Sequence, residues 1–384
     1  MKRTFPFLFY LFYFAAAVFI QPNFVVYLQK LGFSGAQIGV LSGIVPLIIM
    51  VGAPLWTGVA DATNRHRPVM SATILVAALA ASLIPLVHSF MGIIPLVILY
   101  ALCAAPAIPF ADSATMEMLA EDKQMYGRVR LGGTIGWGAV ALLAGPILEA
   151  YGIHWAFWCY AAIMLVTLLT SLKFSYPTNK KQDSWVGGLR VVLGDTRWRI
   201  FLSLAFVAGI AFAVLNSYLF PYMEELNINN KIKYIAITIS TISELPLLFF
   251  ANRLLKRFKP LRLLEIAMVI TGVRLLLYSA FNSQAGILAF QFLNALTFPL
   301  LLLAGVAYVN EISPEGMKST GQGLFGAMVA GFGSAVGNLA GGLLLESIGG
   351  RSLYLTSGIF VMACLAVILL INRYQQASAH RSLG

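Results

Sequence analysis

The amino-acid sequence predicts an all-α membrane protein with twelve transmembrane helices in two pseudo-symmetric six-helix bundles. Three observations carry that expectation. Of 384 residues, 59% are hydrophobic and 11% charged, with a mean hydropathy of +0.83, whereas an ordinary soluble domain carries about 25% charge. Apolar stretches near the roughly 20 residues needed to cross a bilayer recur along the chain with little sequence between them. Two motifs also recur at nearly one offset, about half the chain apart.

The spans fall at 5–29, 36–58, 68–90, 92–116, 128–149 and 153–173, then at 197–224, 232–255, 260–281, 285–310, 318–345 and 350–371. The first follows Lys2 and Arg3, as a signal peptide would, but FPFLFYLFYFAAAVFIQPNFVVYL is too long and lacks a small-residue cleavage site, so it reads as a retained helix. The fourth holds Pro106 and Pro109, which loosen the helix and leave carbonyls for a cavity wall. The eleventh, GLFGAMVAGFGSAVGNLAGG, has glycines at a small-residue spacing that lets helices approach closely. Between spans six and seven lies the one long polar stretch, KFSYPTNKKQDSWVGGLRVVLGDTRWR. The expected organisation is an N-terminal bundle (1–173), a cytoplasmic linker (174–196), a C-terminal bundle (197–372) and a cytoplasmic tail (373–384).

The net charge of +11 raises the question of nucleic acid, and the placement of the basic residues answers it. With the N-terminus inside, twenty-one of the 26 Lys and Arg lie in inner segments; Lys30, Lys231, Lys233 and Arg351 lie outside, and Arg274 lies within the membrane. This is the positive-inside bias, so the basicity sets topology, with both termini cytoplasmic and no nucleic-acid partner expected. Cys103, Cys159 and Cys364 sit far apart within spans, and His66, His88, His154 and His380 are scattered, so neither metal nor cofactor is expected. GQGLFG (321–326) fits a dinucleotide-loop pattern but follows a turn rather than a strand and opens a span. No phosphate-binding GxxxxGK[ST] loop and no clustered acid–base or nucleophile set occurs, which speaks against ATP-driven transport and against an enzyme.

The repeat is carried by LLAGPILEAYG (142–152) and NLAGGLLLESIG (338–349), with Glu149 and Glu346 197 apart, and by VVYLQKLGFS and FPYMEELNIN, with Tyr27 and Tyr222 195 apart. Parallel six-span repeats imply a substrate site near the midplane and alternating access by rocking of the halves.

Ionisable groups inside the membrane are the strongest functional pointers. Asp112 follows the two prolines of span four, and Arg130 enters the membrane on the next helix; a bidentate pair is available to them, either as a functional site or as a structural ion pair that fixes helix register. In the second half, Glu244 lies on span eight and Arg274 on span nine. At about 1.5 Å per residue they sit roughly 18 and 10 Å below the outer ends of their helices, close enough to be bridged directly or through water. Gln21 and Asn23, Asn216 and Tyr218, and Gln291 and Asn294 are spaced to reach a shared cavity, or else to hydrogen-bond between helices.

The whole chain resembles the major facilitator superfamily. GVADATNRHRP resembles its gating loop between spans two and three through Gly58, Asp61, Arg65 and Arg67, with Ala62 replacing an arginine and Asn64 a glycine. YGRVRLGGTIGW is similar to the lactose permease pattern at Gly127, Arg128, Arg130, Gly133, Gly136 and Trp137. That resemblance implies sugar binding by Arg130, stacking by Trp137 and an acid at Asp112. It also implies a cavity-facing Arg274. On span ten the permease has His-x-x-Glu-x-Pro where this chain has Asn294-Ala-Leu-Thr297-Phe-Pro299, so both titratable groups are missing. QFLNALTFP with SELP and YGRVRLGG is closer to the phenylpropionic acid and nucleoside permease branch.

The expected function is therefore secondary transport of a small organic solute (an aromatic acid, nucleoside or sugar), with proton-coupled symport through Asp112 or Glu244. A uniporter or exporter of the same fold, or a transport-fold sensor, is the alternative. The expected partners are substrate, protons and membrane lipid, and the expected state is a monomer in the inner membrane.

Overall fold

The computed structural model describes residues 3–176, 194–314 and 317–381, so 177–193 of the expected linker and 382–384 of the expected tail lie outside the described residues. Among these residues every regular element is helical. Ten helical segments are long and apolar enough to cross a membrane: Thr4–Lys30, Gly35–Thr63, His66–Leu86, Phe90–Leu119, Tyr126–Tyr151, Thr196–Ser217, Asn230–Ala251, Pro260–Ala280, Gln284–Ile312 and Thr320–Ile371. The last bends at Gly349, at φ 75°, and so supplies spans eleven and twelve. Trp155–Ser171 is a shorter apolar helix of 17 residues and forms span six, which brings the total to twelve.

The sequence repeat is a repeat of helix breaks and helix stops. Span one breaks after Ile20 and resumes as Phe24–Lys30; span seven breaks after Ser217 and resumes as Leu219–Glu225, 195 residues later at both ends. Both resumed helices then close in the left-handed region, at Gly32 (φ 78°) and Asn227 (φ 55°). In each, the next amide donates back across the stop: Phe33 N to Leu28 O at 3.3 Å, Ile228 N to Met223 O at 2.9 Å. Gly152 (φ 93°) and Gly349 end the other matched pair. Spans four and ten are broken as well, into Phe90–Ala104 and Ala107–Leu119, and into Gln284–Phe290, a tight 3-10 stretch Gln291–Leu296, and Phe298–Ile312. Pro22, Pro106, Pro221 and Pro299 lie in or beside the four breaks, where a missing N–H is tolerated. Discontinuous helices of this kind supply polar backbone for transport sites.

The described residues group into two compact units, Met1–Gln182 with Asn216–Thr241 and Asp183–Leu215 with Ile242–Gly384. In the first, span one lies in a groove of span five lined by Gly132, Gly133 and Gly136; a Cβ on Gly136 would run into the backbone of Leu11. The chain leaving span six turns back so that Phe174 is fully buried against Phe9, with ring centres 5.2 Å apart, and its carbonyl accepts from Arg67 at 2.7 Å. Residues 216–241 join this unit through Asn23 Nδ2 to Tyr234 OH, Thr238 Oγ1 to the Gly138 carbonyl at 3.2 Å, and a close approach of Gly145 to Lys231 and Tyr234. Glu224 there receives buried Lys233 at 3.0 Å and Lys30 at 3.5 Å.

In the second unit, Gly272 of span nine packs on Met362 of span twelve, and Gly209 of span seven faces Gly333 and the Val329 carbonyl of span eleven. Span eleven widens into a π-helical turn over Ala327–Gly333 at that contact, a local bulge of the kind found at functional positions.

Candidate functional site

In the first unit the polar centre is Asp112, in the resumed part of span four. One of its oxygens, Oδ1, accepts three donors: Tyr10 OH at 2.5 Å, Tyr126 OH at 2.8 Å and Arg130 NH1 at 3.1 Å. Tyr126 opens span five and Arg130 lies four residues on, so both side chains project from one helix face. The Arg130 guanidinium also sits 5.5 Å from the centre of the Tyr10 ring, and Thr115 Oγ1 reaches Tyr10 OH at 3.5 Å. The Asp112–Arg130 ion pair is thus a single contact rather than the two-pronged one its geometry allowed. Its side chains are 37% and 41% exposed, so the pair faces open space and is not sealed in a core. Trp137, two helical turns beyond Arg130 on the same face, is half-buried.

In the second unit the centre is Arg274, 3% exposed in the middle of span nine. Its guanidinium donates Nε to Tyr278 OH at 3.1 Å, NH1 to Asn294 Oδ1 at 2.7 Å and to Thr297 Oγ1 at 3.2 Å, and NH2 to Gln291 Oε1 at 2.8 Å. A buried arginine costs on the order of 2.5–3.5 kcal/mol on insertion scales, and here neutral acceptors from the broken segment of span ten offset that cost. None of the ion pairs among the described residues includes it. Glu244 is connected only through Asn294, whose Nδ2 donates to Glu244 Oε1 at 2.6 Å. The direct Glu244–Arg274 bridge considered from sequence is replaced by this carboxamide link. A small, mostly apolar cavity lined by Phe212, Thr271, Thr297 and Phe298 adjoins the cluster.

The other polar residues singled out by sequence divide. Asn23 is buried and held by the Phe19 carbonyl at 2.7 Å and by Tyr234 OH. Tyr218 is buried and hydrogen-bonded to Ser42. Both make the interhelical bonds that were the alternative reading, while Gln21 and Asn216 are exposed. In the turn between spans two and three, Asp61 pairs with His66 at 2.7 Å, Arg67 holds the Phe174 carbonyl, and Gly58 and Arg65 stay exposed. Asn64, standing where the superfamily loop has glycine, takes φ 53° and ψ 33° as the helix stop, a conformation asparagine tolerates better than other side chains.

Tyr10, Tyr126, Thr115 and Tyr278 went unread in the sequence. Tyr126 had a signal, four residues before Arg130; Tyr10, one of several aromatics in span one, had none. No group of three or more His, Cys, Asp or Glu able to hold a metal occurs among the described residues.

The chain as a whole is similar to proteins already known. The chain is similar to the maltose permease of Geobacillus stearothermophilus, 26% identical over 98% of this chain and 96% of that one. It is also similar to the putative nucleoside transporter YegT of Escherichia coli (strain K12), 24% identical over 84% and 80%. The crystal structure of the nucleoside transporter NupG shares the fold, with a TM-score of 0.86 over 97% of this chain and 99% of that one, at 16% identity. The family model described as MFS_1 like family matches residues 7–356. Matched over most of its length, the chain belongs to the MFS_1 like family and is a multi-pass membrane transporter of the major facilitator type for a small molecule, not an enzyme.

Proposed function

We propose that the transporter carries a neutral, hydroxyl-rich solute, a nucleoside or a sugar, by alternating access and together with protons taken up on Asp112 or Glu244. The observation that carries this reading is that both intramembrane arginines are already occupied. Arg130 is neutralised by Asp112, and four of the five N–H groups of Arg274 are spent on neutral acceptors. An anionic aromatic acid would have to displace those partners, whereas a neutral polyol needs only hydrogen bonds. The maltose and nucleoside names of the relatives support the same class.

Proton coupling falls to carboxylates because Asn294 and Thr297 do not titrate. Asp112 and Glu244 are each half-exposed, which gives a proton a route to them. The bias of basic residues supports an orientation with both termini inside; the proposal places the chain in the cytoplasmic (inner) membrane, surrounded by lipid and acting as a monomer.

Uptake of uridine, maltose and phenylpropionate into proteoliposomes, with and without an inward proton gradient, tests the proposal on wild type, Asp112→Asn and Glu244→Gln. The expected result is gradient-stimulated uptake of a neutral solute, lost in at least one variant. Preference for the aromatic acid, or uptake indifferent to the gradient, would overturn it.

A further inference from the structure

All three donors that reach Asp112 arrive at the same oxygen. Tyr10, Tyr126 and Arg130 converge on Oδ1, and no donor among the described residues reaches Oδ2. A carboxylate oxygen has about two lone-pair sites, so Oδ1 is saturated. The tyrosine hydroxyls are also committed in direction. Tyr10 OH is reached by Thr115 Oγ1 and Tyr126 OH by Arg130 NH1, each at 3.5 Å, which leaves each phenol proton to point at Asp112. Tyr10 is fully buried and cannot swing to water.

From this geometry we infer that Tyr10 and Tyr126 are positioning residues that reserve Oδ2 of Asp112 as the single atom where the proton, and an oxygen of the solute, are received. A proton arriving from water adds to Oδ2, and Oδ1 becomes the carbonyl oxygen of the acid. A carbonyl oxygen still accepts hydrogen bonds, so the Tyr10–Tyr126–Arg130 frame stays intact through the proton's arrival and departure. Loaded with the proton, Oδ2–H donates to a hydroxyl or carbonyl oxygen of the solute; unloaded, Oδ2 accepts from a hydroxyl. Proton and solute therefore meet at one oxygen whose direction is fixed by two phenols. The solute half of this inference rests on the function proposed above; the proton half does not.

The titratable and charged groups around Asp112 are few. Span one presents Tyr10, with Tyr13 near Arg130. Span five presents Tyr126 and Arg130. At the turn before span three, His66 packs on Phe110 and is paired with Asp61. Glu117 follows on span four itself, and beyond it Asp122 is paired with Arg3 at 2.5 Å. Among the described residues, only the two phenols and Arg130 touch the carboxylate.

The test is an infrared pH titration of the purified full-length protein in lipid nanodiscs, reading the carboxylic-acid C=O band that disappears in Asp112→Asn. Each phenol hydroxyl donates to Oδ1, the carbonyl oxygen of the protonated acid, and so lowers its stretching frequency; Tyr10→Phe and Tyr126→Phe should each move that band to higher wavenumber, with the double variant higher still. Band positions that coincide with wild type, or the absence of any band lost in Asp112→Asn, would overturn the inference. Tyr126 is only half-buried, so Tyr126→Phe serves alone if Tyr10→Phe fails to fold. Uptake assays run in parallel report on the proposed function separately: a shifted band without gradient-driven uptake sinks the coupling and leaves the positioning role standing.

Discussion

Glu244 and Arg274 do not touch; they are joined through the carboxamide of Asn294, which donates to the carboxylate at 2.6 Å and accepts from the guanidinium at 2.7 Å. A carboxamide presents a donor at one end and an acceptor at the other, so it satisfies an acid and a base together without taking either charge. Asn294 and Thr297 occupy the two positions of span ten where the sequence lacks titratable groups, and both bind Arg274. Span ten therefore holds the buried arginine with groups that cannot release it by changing charge.

Replacing that link should be costly. Asn294→Ala leaves Glu244 and one N–H of Arg274 without their closest partner, and the expected loss is about 1–3 kcal/mol of stability. Asn294→Asp places a carboxylate beside Glu244 and should impair uptake further while strengthening the hold on Arg274. Thermal unfolding in detergent together with uptake separates the two effects.

Arg274→Lys should not substitute. The guanidinium reaches Tyr278, Gln291, Asn294 and Thr297 with a planar fork, whereas an ammonium has three donors on a different geometry. At least one buried acceptor is left unmet, at about 1–3 kcal/mol. An Arg274→Lys protein with wild-type melting temperature and uptake would show that charge alone suffices.

In the first unit, Lys233 has a side chain only 3% exposed and depends on Glu224, with Asn230 a weaker acceptor at 3.4 Å. Glu224→Gln strands a buried ammonium, with an expected cost near the lower end of the roughly 3–5 kcal/mol for breaking a buried pair, because Glu224 itself is partly exposed. Glu224→Gln combined with Lys233→Met should recover most of that loss. A double variant no more stable than the single one would show that the ammonium was not the source of the cost.

Gly136→Ala should separate spans one and five. The added methyl meets the Leu11 backbone, which cannot rotate away, and overpacking of this kind costs about 1–3 kcal/mol or more. Gly127→Ala on the same helix meets nothing within 4 Å and should be neutral or stabilising by up to about 1 kcal/mol, which makes it the control for helix propensity.

At the turn between spans two and three, Asn64→Gly should preserve or raise stability and Asn64→Ala lower it by roughly 1–2 kcal/mol, because φ 53° is left-handed and the penalty comes from the Cβ. Melting temperatures of the pair decide this independently of transport.

The membrane fold, the approximate spans and the duplication were legible in the sequence because hydropathy and helix-stop chemistry are local properties, carried by residues close together in the chain. Gly152 and Gly349, or Gly32 and Asn227, announce a stop wherever their helices pack. The charges within the spans, Asp112, Arg130, Glu244 and Arg274, are also conspicuous in the sequence because their surroundings are apolar. Which groups answer those charges was decided by tertiary structure alone. Tyr10 reaches Asp112 across 102 residues, and Asn294 rather than Glu244 reaches Arg274, because a hydrogen bond forms or fails within a few tenths of an ångström. That distance is set by how separate helices lie against one another, by the glycine groove under span one and the broken turn of span ten, and no single stretch of the chain contains it.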